Sequence, residues 1–224
     1  MRTDVIDENA KTLQIFAGAR SEFLRQGFDG ASMNDIARAA GVSKGTLYVY
    51  FDSKEALFEA LIRHDRRRQA EQICRFDPAD HDIRAVLERF GCDLMEMMML
   101  PDQIAHARMV VGAIARFPQI GRAFHEAGPE FAAAQLSRYL QAQADGGLLE
   151  IADCDVAAQQ FLDLCQSGLL KKVIFAVIGQ PARHEVEANV RRALDVFLSA
   201  YAARQPAATC HVGGTGLPTA PKRA

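Results

Sequence analysis

Residues 32–51, SMNDIARAAGVSKGTLYVYF, leave this chain few ways to fold. Ser32 is a good helix N-cap, and Asp35 three residues on completes a Ser-x-x-Asp capping pattern. Met33, Ile36, Ala37 and Ala40 then form one apolar face at helical spacing. Gly41 falls where the chain must turn, a place for a residue that tolerates positive φ. Ser43 caps a second helix, with Leu47 and Phe51 four apart on its buried side. Lys44, Thr46, Tyr48 and Tyr50 lie opposite them. Two short helices joined in this way form a helix-turn-helix, whose second helix lies in the major groove of DNA.

The pattern extends beyond the two helices. Phe16, Ala19, Phe23, Gly27 and Phe28 precede it, and Ser53, Lys54, Glu55, Leu57 and Phe58 follow it. The ordered run G-F…S-x-x-D-I-A-x-A-A-G-V-S-K-G-T-L-Y-x-Y-F-x-S-K-E-x-L-F resembles the TetR (tetracycline-repressor-like) family of bacterial regulators over residues 9–62. The resemblance implies a DNA face made of Ser32, Ser43, Lys44, Gly45, Thr46, Tyr48, Tyr50 and Lys54. It sets residues 43–46 at base edges or phosphates and gives the tyrosine hydroxyls to the DNA backbone. Tyr48 and Tyr50 point to different faces, so core packing is the alternative for one of them. Lys54 falls in the first turn of the fourth helix, where free N–H groups can hold a phosphate. A lysine there opposes the helix dipole, which favours a DNA role.

Charge argues the other way. Residues 1–70 carry 11 Lys and Arg against 10 Asp and Glu, and the whole chain has a formal net charge of −2. Free-standing DNA-binding domains are often strongly basic, so the expectation is modest non-specific affinity and a modest salt slope. No apolar run is long enough to span a bilayer, and the N-terminal residues lack a signal-peptide core. A cytoplasmic protein without a membrane partner is expected. The five cysteines (Cys74, Cys92, Cys154, Cys165, Cys210) are scattered, without metal-ligand or disulfide spacing. They read as reduced, mostly buried thiols, with a redox-sensing cysteine as the alternative. The six histidines stand apart, and no nucleophile elbow or phosphate loop appears. Nothing marks an enzyme, and no metal or cofactor is expected.

The rest reads as helix. The fold class is all-α, with nine helices: a three-helix helix-turn-helix domain over residues 1–52, then a larger ligand-binding and dimerisation domain over 53–204, entered through the fourth helix. A first helix is expected over 8–26, ended by Gly27, and a fourth from the Ser53 cap to 75. Arg63, Arg66, Arg67 and Arg68 on the fourth read as a solvated face. Further helices are expected over 80–100, 102–117 and 118–145, the last kinked at Gly128-Pro129. Asp155 is expected to cap a helix running to 178, before a final one over 183–204. Residues 205–224, with three prolines and no apolar periodicity, read as a disordered tail. Residues 116–179 resemble, less specifically, the C-terminal domain of AefR-like TetR regulators, on Arg116-Phe117-Pro118, Phe124, Gly128-Pro129, Tyr139-Leu140 and Phe161-Leu162.

Met95, Met97, Met98, Met99 and Met109 form a cluster of adaptable apolar side chains. One reading is plain core. The other is the wall of a ligand pocket made by Met95, Met98, His106, Met109, Phe117, Phe124 and Phe161, with His106 and Arg108 as its polar groups. For dimerisation, Phe161, Leu164, Gly168 and Phe175 offer one face, and Val186, Val190, Phe197 and Tyr201 another, unless both are internal core. The sequence thus reads as a homodimeric TetR-type transcriptional regulator, a repressor released from a palindromic double-stranded DNA operator by a small apolar effector. A DNA-binding activator or effector-independent DNA binder is the alternative. A ligand-binding protein without DNA recognition is the third reading.

Overall fold

The computed structural model describes residues 2–203, with side chains from residue 10 onward. The expected tail, Cys210 and His211 lie outside them. The elements are α1 (Arg2–Gly30), α2 (Met33–Ala39), α3 (Lys44–Tyr50), α4 (Lys54–Ile73), α5 (Ile83–Met98), α6 (Pro101–Ala113) and α7 (Pro118–His125). A π-helical turn (Glu126–Glu130) leads into α8 (Phe131–Asp145), followed by α9 (Cys154–Gln166), α10 (Leu170–Ile174) and α11 (Arg183–Tyr201). Among the described residues the only extended pairing is an isolated bridge, Leu149 to Ala202. No helix among the described residues is long and apolar enough to cross a membrane.

Two of the nine expected helices divide. Pro129 has no N–H to give, and the chain passes it as a single π turn rather than a break. The other division corrects the helix drawn from Asp155 to Ile178. Asp153, not Asp155, caps α9, accepting from the N–H groups of Asp155 and Val156. That helix stops at Gln166, because Ser167 is extended and Gly168 turns left-handed at φ 81°. Asn189 on α11 donates to the freed carbonyl of Cys165 at 2.7 Å. Arg108 on α6 does the same for α10, donating to the carbonyls of Val173 and Ile174. Its guanidinium thus caps a helix, beside a groove that Arg108 lines with Met99, Ile104 and Val173.

Two apolar clusters hold the chain. The first joins Ile15, Ala19 and Phe23 of α1 to Ile36, Leu47 and the first half of α4 (Leu57, Phe58, Leu61, Ile62). It also takes in Val110 and Ala113 of α6 and Ile120 of α7, so this core extends past residue 52. The second gathers α5, α8, α9 and α11 around Phe90, Tyr139, Phe161 and Phe197. Phe161 lies between Phe90 and Phe197, at centroid distances of 6.4 and 5.2 Å. Phe161, Val186, Val190 and Phe197, offered as dimer faces, are therefore internal core. Burial pushes the thiols of Cys74 and Cys165 up to about 12 and that of Cys92 up to about 11, which suppresses the reactive thiolate.

The first cluster depends on two close fits. Gly18 of α1 lies against the end of α2, where an added Cβ would fall 2.4 Å from the backbone nitrogen of Ala40. Gly27, at φ 72° and ψ 172°, breaks the helical path inside α1. The carbonyls freed beyond it are collected by Lys54, whose Nζ donates to Phe28 at 2.7 Å, Ala31 at 3.0 Å and Asp29 at 3.3 Å. The ammonium also sits 4.6 Å from the Phe28 ring centroid. The lysine in α4's first turn thus has a structural explanation that the DNA reading lacked: its donors are spent on the exit of α1.

Gly18→Ala should destabilise the protein by about 1–3 kcal/mol, since a backbone neighbour cannot yield as a side chain can. Lys54→Met should cost about 1–3 kcal/mol through the carbonyls left without a donor. Urea unfolding curves of both variants test these values. Wild-type midpoints would contradict the two fits.

Candidate nucleic-acid interface and internal cavity

The turn between α2 and α3 is built by local hydrogen bonds. Ser32 Oγ accepts from the Asp35 N–H at 3.2 Å and donates to its carboxylate at 2.6 Å. That hydrogen bond holds the Asp35 carboxyl below its usual range. Ser32, placed among the DNA-face residues, has its hydroxyl committed to this cap. At the far end of α2, Gly41 takes φ 63°, and the N–H groups of Gly41 and Val42 return to the carbonyls of Arg38 and Ala37. This is a Schellman closure. Gln14 of α1 donates to the Ala40 carbonyl at 2.7 Å and fixes the turn on its support.

Helix α3 starts at Ser43, whose Oγ accepts from the Thr46 N–H at 2.9 Å and lies 2.8 Å from Thr46 Oγ1. Leu47 is fully buried beneath it. Ser43, Lys44 and Gly45 are exposed, Thr46 is half-buried, and Tyr48 is 42% exposed. Tyr50 is partly buried against the first core and is the tyrosine that packs inward. Nothing but Ser43 Oγ, at 3.8 Å, would meet a Cβ at Gly45, so its backbone is open to approach from outside. The sequence reading missed Val49, which is 82% exposed on the same helix. The signal was present: an apolar β-branched residue out of phase with Leu47 and Phe51.

A cavity of about 260 Å³ opens between α4, the end of α5, the π turn with its flanks, and α9. Of the residues expected to line a pocket, it contains Met98 and Phe124. The other five lie elsewhere. Met95 and Phe161 are fully buried in the second core. Phe117 packs edge-on to Phe28 at 5.5 Å, and Met109 packs against the same first core. His106 is buried on α6, its Nε2 lacks a hydrogen-bond partner, and burial, then the charge of Arg66, lowers its pKa. Leu94, Met97, Ile73 and Leu162 supply most of the apolar wall instead.

The polar side of the cavity comes from α4. Of the four arginines read as a solvated face, Arg63 pairs with Glu59 and Glu126, and Arg67 with Glu71. Arg66 breaks from them. It is 7% exposed, lines the cavity, and lies 4.0 Å from the Phe124 ring centroid. Its methylenes run along Gly128, where a Cβ would come within 3.5 Å. Its Nη2 has no partner, and burial lowers its pKa to about 10, so it remains a cation at neutral pH. Gln69 one turn on also lines the cavity, with Oε1 unpartnered.

Comparison with known proteins agrees with both halves of this architecture. Residues 15–61 match the family described as bacterial regulatory proteins, tetR family, and residues 85–203 match the AefR-like transcriptional repressor C-terminal domain. A helix-turn-helix-type transcriptional repressor of Mycobacterium tuberculosis is 30% identical over 169 residues, 73% of this chain and 82% of the relative. A TetR-family regulator from Mesorhizobium loti superposes with a TM-score of 0.81 at 25% identity, covering 87% of this chain and 98% of that one. The flavonoid-responsive regulator FrrA superposes with a TM-score of 0.72 at 32% identity, covering 88% and 100%. The chain belongs to the TetR family of DNA-binding transcriptional regulators, not to a family of enzymes, and carries an AefR-like C-terminal domain.

Proposed function

We propose that this protein is a homodimeric repressor that binds a palindromic operator through α3 and is released when a small, largely apolar molecule enters the cavity. One observation carries the reading: α4 is continuous from the first core to the cavity wall. Leu57, Phe58, Leu61 and Ile62 belong to the DNA-binding half, while Arg66, Gln69, Ala70 and Ile73 line the cavity. A ligand that fits the cavity in one setting of α4 better than in another shifts the chain between those settings by that difference in affinity. The resemblance to a regulator described as flavonoid-responsive supports a small-molecule effector. The open cavity weighs against an effector-independent DNA binder. The exposed residues of α3 weigh against a protein that has lost DNA recognition.

On the DNA, Ser43, Lys44, Gly45, Thr46 and Tyr48 make the approach, with Val49 offering an apolar surface to a thymine methyl. Tyr50 and Ser32 support α3 and α2, and Lys54 holds the chain that precedes them. The dimer forms through the outer faces of α9 and α11. Val156 and Val196 are exposed there, and a groove lined by Gln160, Leu164, Ala200 and Tyr201 runs between the two helices.

Genomic selection of bound fragments, followed by anisotropy titration on operator variants, tests the DNA reading. Lys44→Ala should weaken all variants about equally and lower the salt slope by about one. Thr46→Ala and Val49→Ser should instead cost about 1–3 kcal/mol at particular base pairs. Identical profiles for all three variants would contradict these roles. Val196→Asp should give a folded monomer by light scattering, whereas Phe197→Asp should unfold, because Phe197 is 1% exposed within its own chain. A stable dimer of Val196→Asp would exclude the α9–α11 interface.

A further inference from the structure

We infer that the effector is an apolar molecule carrying one anionic oxygen group, a carboxylate or a phenolate, and that Arg66 is the residue that binds that group. The inference rests on the cavity being the effector site and deepens that reading.

Arg66 is a nine-tenths-buried cation without a carboxylate or carbonyl partner among the described residues. Its neighbour in sequence, Asp65, hydrogen-bonds Arg20 of α1 and reaches Arg66 only through its charge. An isolated buried charge is strongly unfavourable, and protein interiors normally pair such a group. This one is held in place all the same. Its stem runs along Gly128, where a Cβ would just meet it in van der Waals contact, and its guanidinium lies over Phe124. Both neighbours line the same cavity. Leu94, Met97, Met98 and Leu162 give the wall its thioether and hydrocarbon part, and Gln69, Gln159 and Gln166 add neutral polar groups. Such a wall accepts a carbon skeleton and offers an anion no second cation close by. His125 and Asp163 also line the cavity but are exposed, with His125 3.7 Å from Glu130. Arg66 therefore favours a single anionic oxygen at the α4 wall, with the carbon skeleton lying toward α5 and α9. Gln69, one turn along α4, has an unpartnered buried Oε1 on the same wall, an acceptor for a donor elsewhere on the ligand rather than for the anion.

The anion lowers the cost of keeping Arg66 buried, and it does so only in the arrangement where α4, the π turn and α9 enclose it. Ligand binding is thereby tied to one setting of the helix that carries the DNA-binding half.

Calorimetry on the full chain with matched probes tests the assignment. One pair is 4-phenylbenzoate and its neutral carboxamide. The other is ionised 3,5-dichloro-4-hydroxybiphenyl and its methyl ether. In each pair that binds, the anion should bind about tenfold or more tightly than its neutral partner. The pair with the larger ratio identifies carboxylate or phenolate as the preferred group. Arg66→Met, which keeps the packing against Gly128 and Phe124, should bring the ratio to about one while the neutral probe still binds. Arg66→Lys should retain a reduced preference. Should Arg66→Met lose its cooperative melt, Arg66→Gln takes its place in the same measurement. Equal affinities within each pair for the wild type overturn the anion assignment but leave the cavity as the site. A preference that survives in Arg66→Met removes Arg66 from the role. Failure of all four probes to bind overturns the cavity reading together with this one.

Discussion

Helix α4 is shared between two cores, and most of the molecule is arranged around that constraint. Phe58, Ile62, Arg66, Ala70 and Ile73 follow one another at intervals of four, four, four and three, a single stripe on one face. The upper part of the stripe meets α1 and the helix-turn-helix, and the lower part meets the cavity. Its packing partners change midway, from the rings of Phe23 and Phe28 to Phe124 and the π turn. A helix is stiff along its axis, so in the proposed function a movement of its lower half is passed to its upper half. Arg66 stands at the changeover, between Ile62 of the first core and the cavity wall.

The DNA-binding half is held by hydrogen bonds that close over a few residues. Ser32, Ser43 and Ser53 each accept from the N–H three residues on, at the start of α2, α3 and α4. Gly41 turns the chain between α2 and α3, and Gly27 breaks the helical path inside α1, both at positive φ. Lys54 and Gln14 then bind the exits of α1 and α2 to their neighbours. Each cap contributes about 1 kcal/mol. Together they orient α3 before any DNA is present, which reduces the ordering cost at binding. The same economy fits the near-neutral charge of this half, since a preformed helix can act through few phosphate contacts.

This local closure is why the helix-turn-helix was legible in the sequence. Cap, apolar spacing and turn glycine all lie within a dozen residues of one another. The second half was legible as helices but not as surfaces. Phe161 and Phe197 have the periodicity of a dimer seam and of a core face alike, and only the position of Phe90 decides that they meet inside one chain. Met95 and Met98 sit three apart on α5, close enough to share a broad face, yet one is sealed in the core and the other opens on the cavity. The division at Ser167-Gly168 depends on Asn189, more than twenty residues away, taking up a carbonyl. Arg66 is different, because its place in the apolar stripe was visible. Grouping it by charge with Arg63, Arg67 and Arg68 hid it.

The buried guanidinium also bears on why the cavity lies where it does. An apolar pocket alone would accept many hydrophobic molecules with similar affinity, since each methylene adds only about 0.8 kcal/mol. Discrimination comes from a polar group that is costly to leave unpaired. With that group on α4, rather than on α8 or α9, the proposed function has selectivity and transmission on the same helix. A molecule that fills the cavity without meeting Arg66 gains the apolar contacts but leaves the charge uncompensated. It therefore has less differential affinity with which to favour one setting of α4. On the proposed function, recognition of the ligand and the response to it are in this way the same physical event.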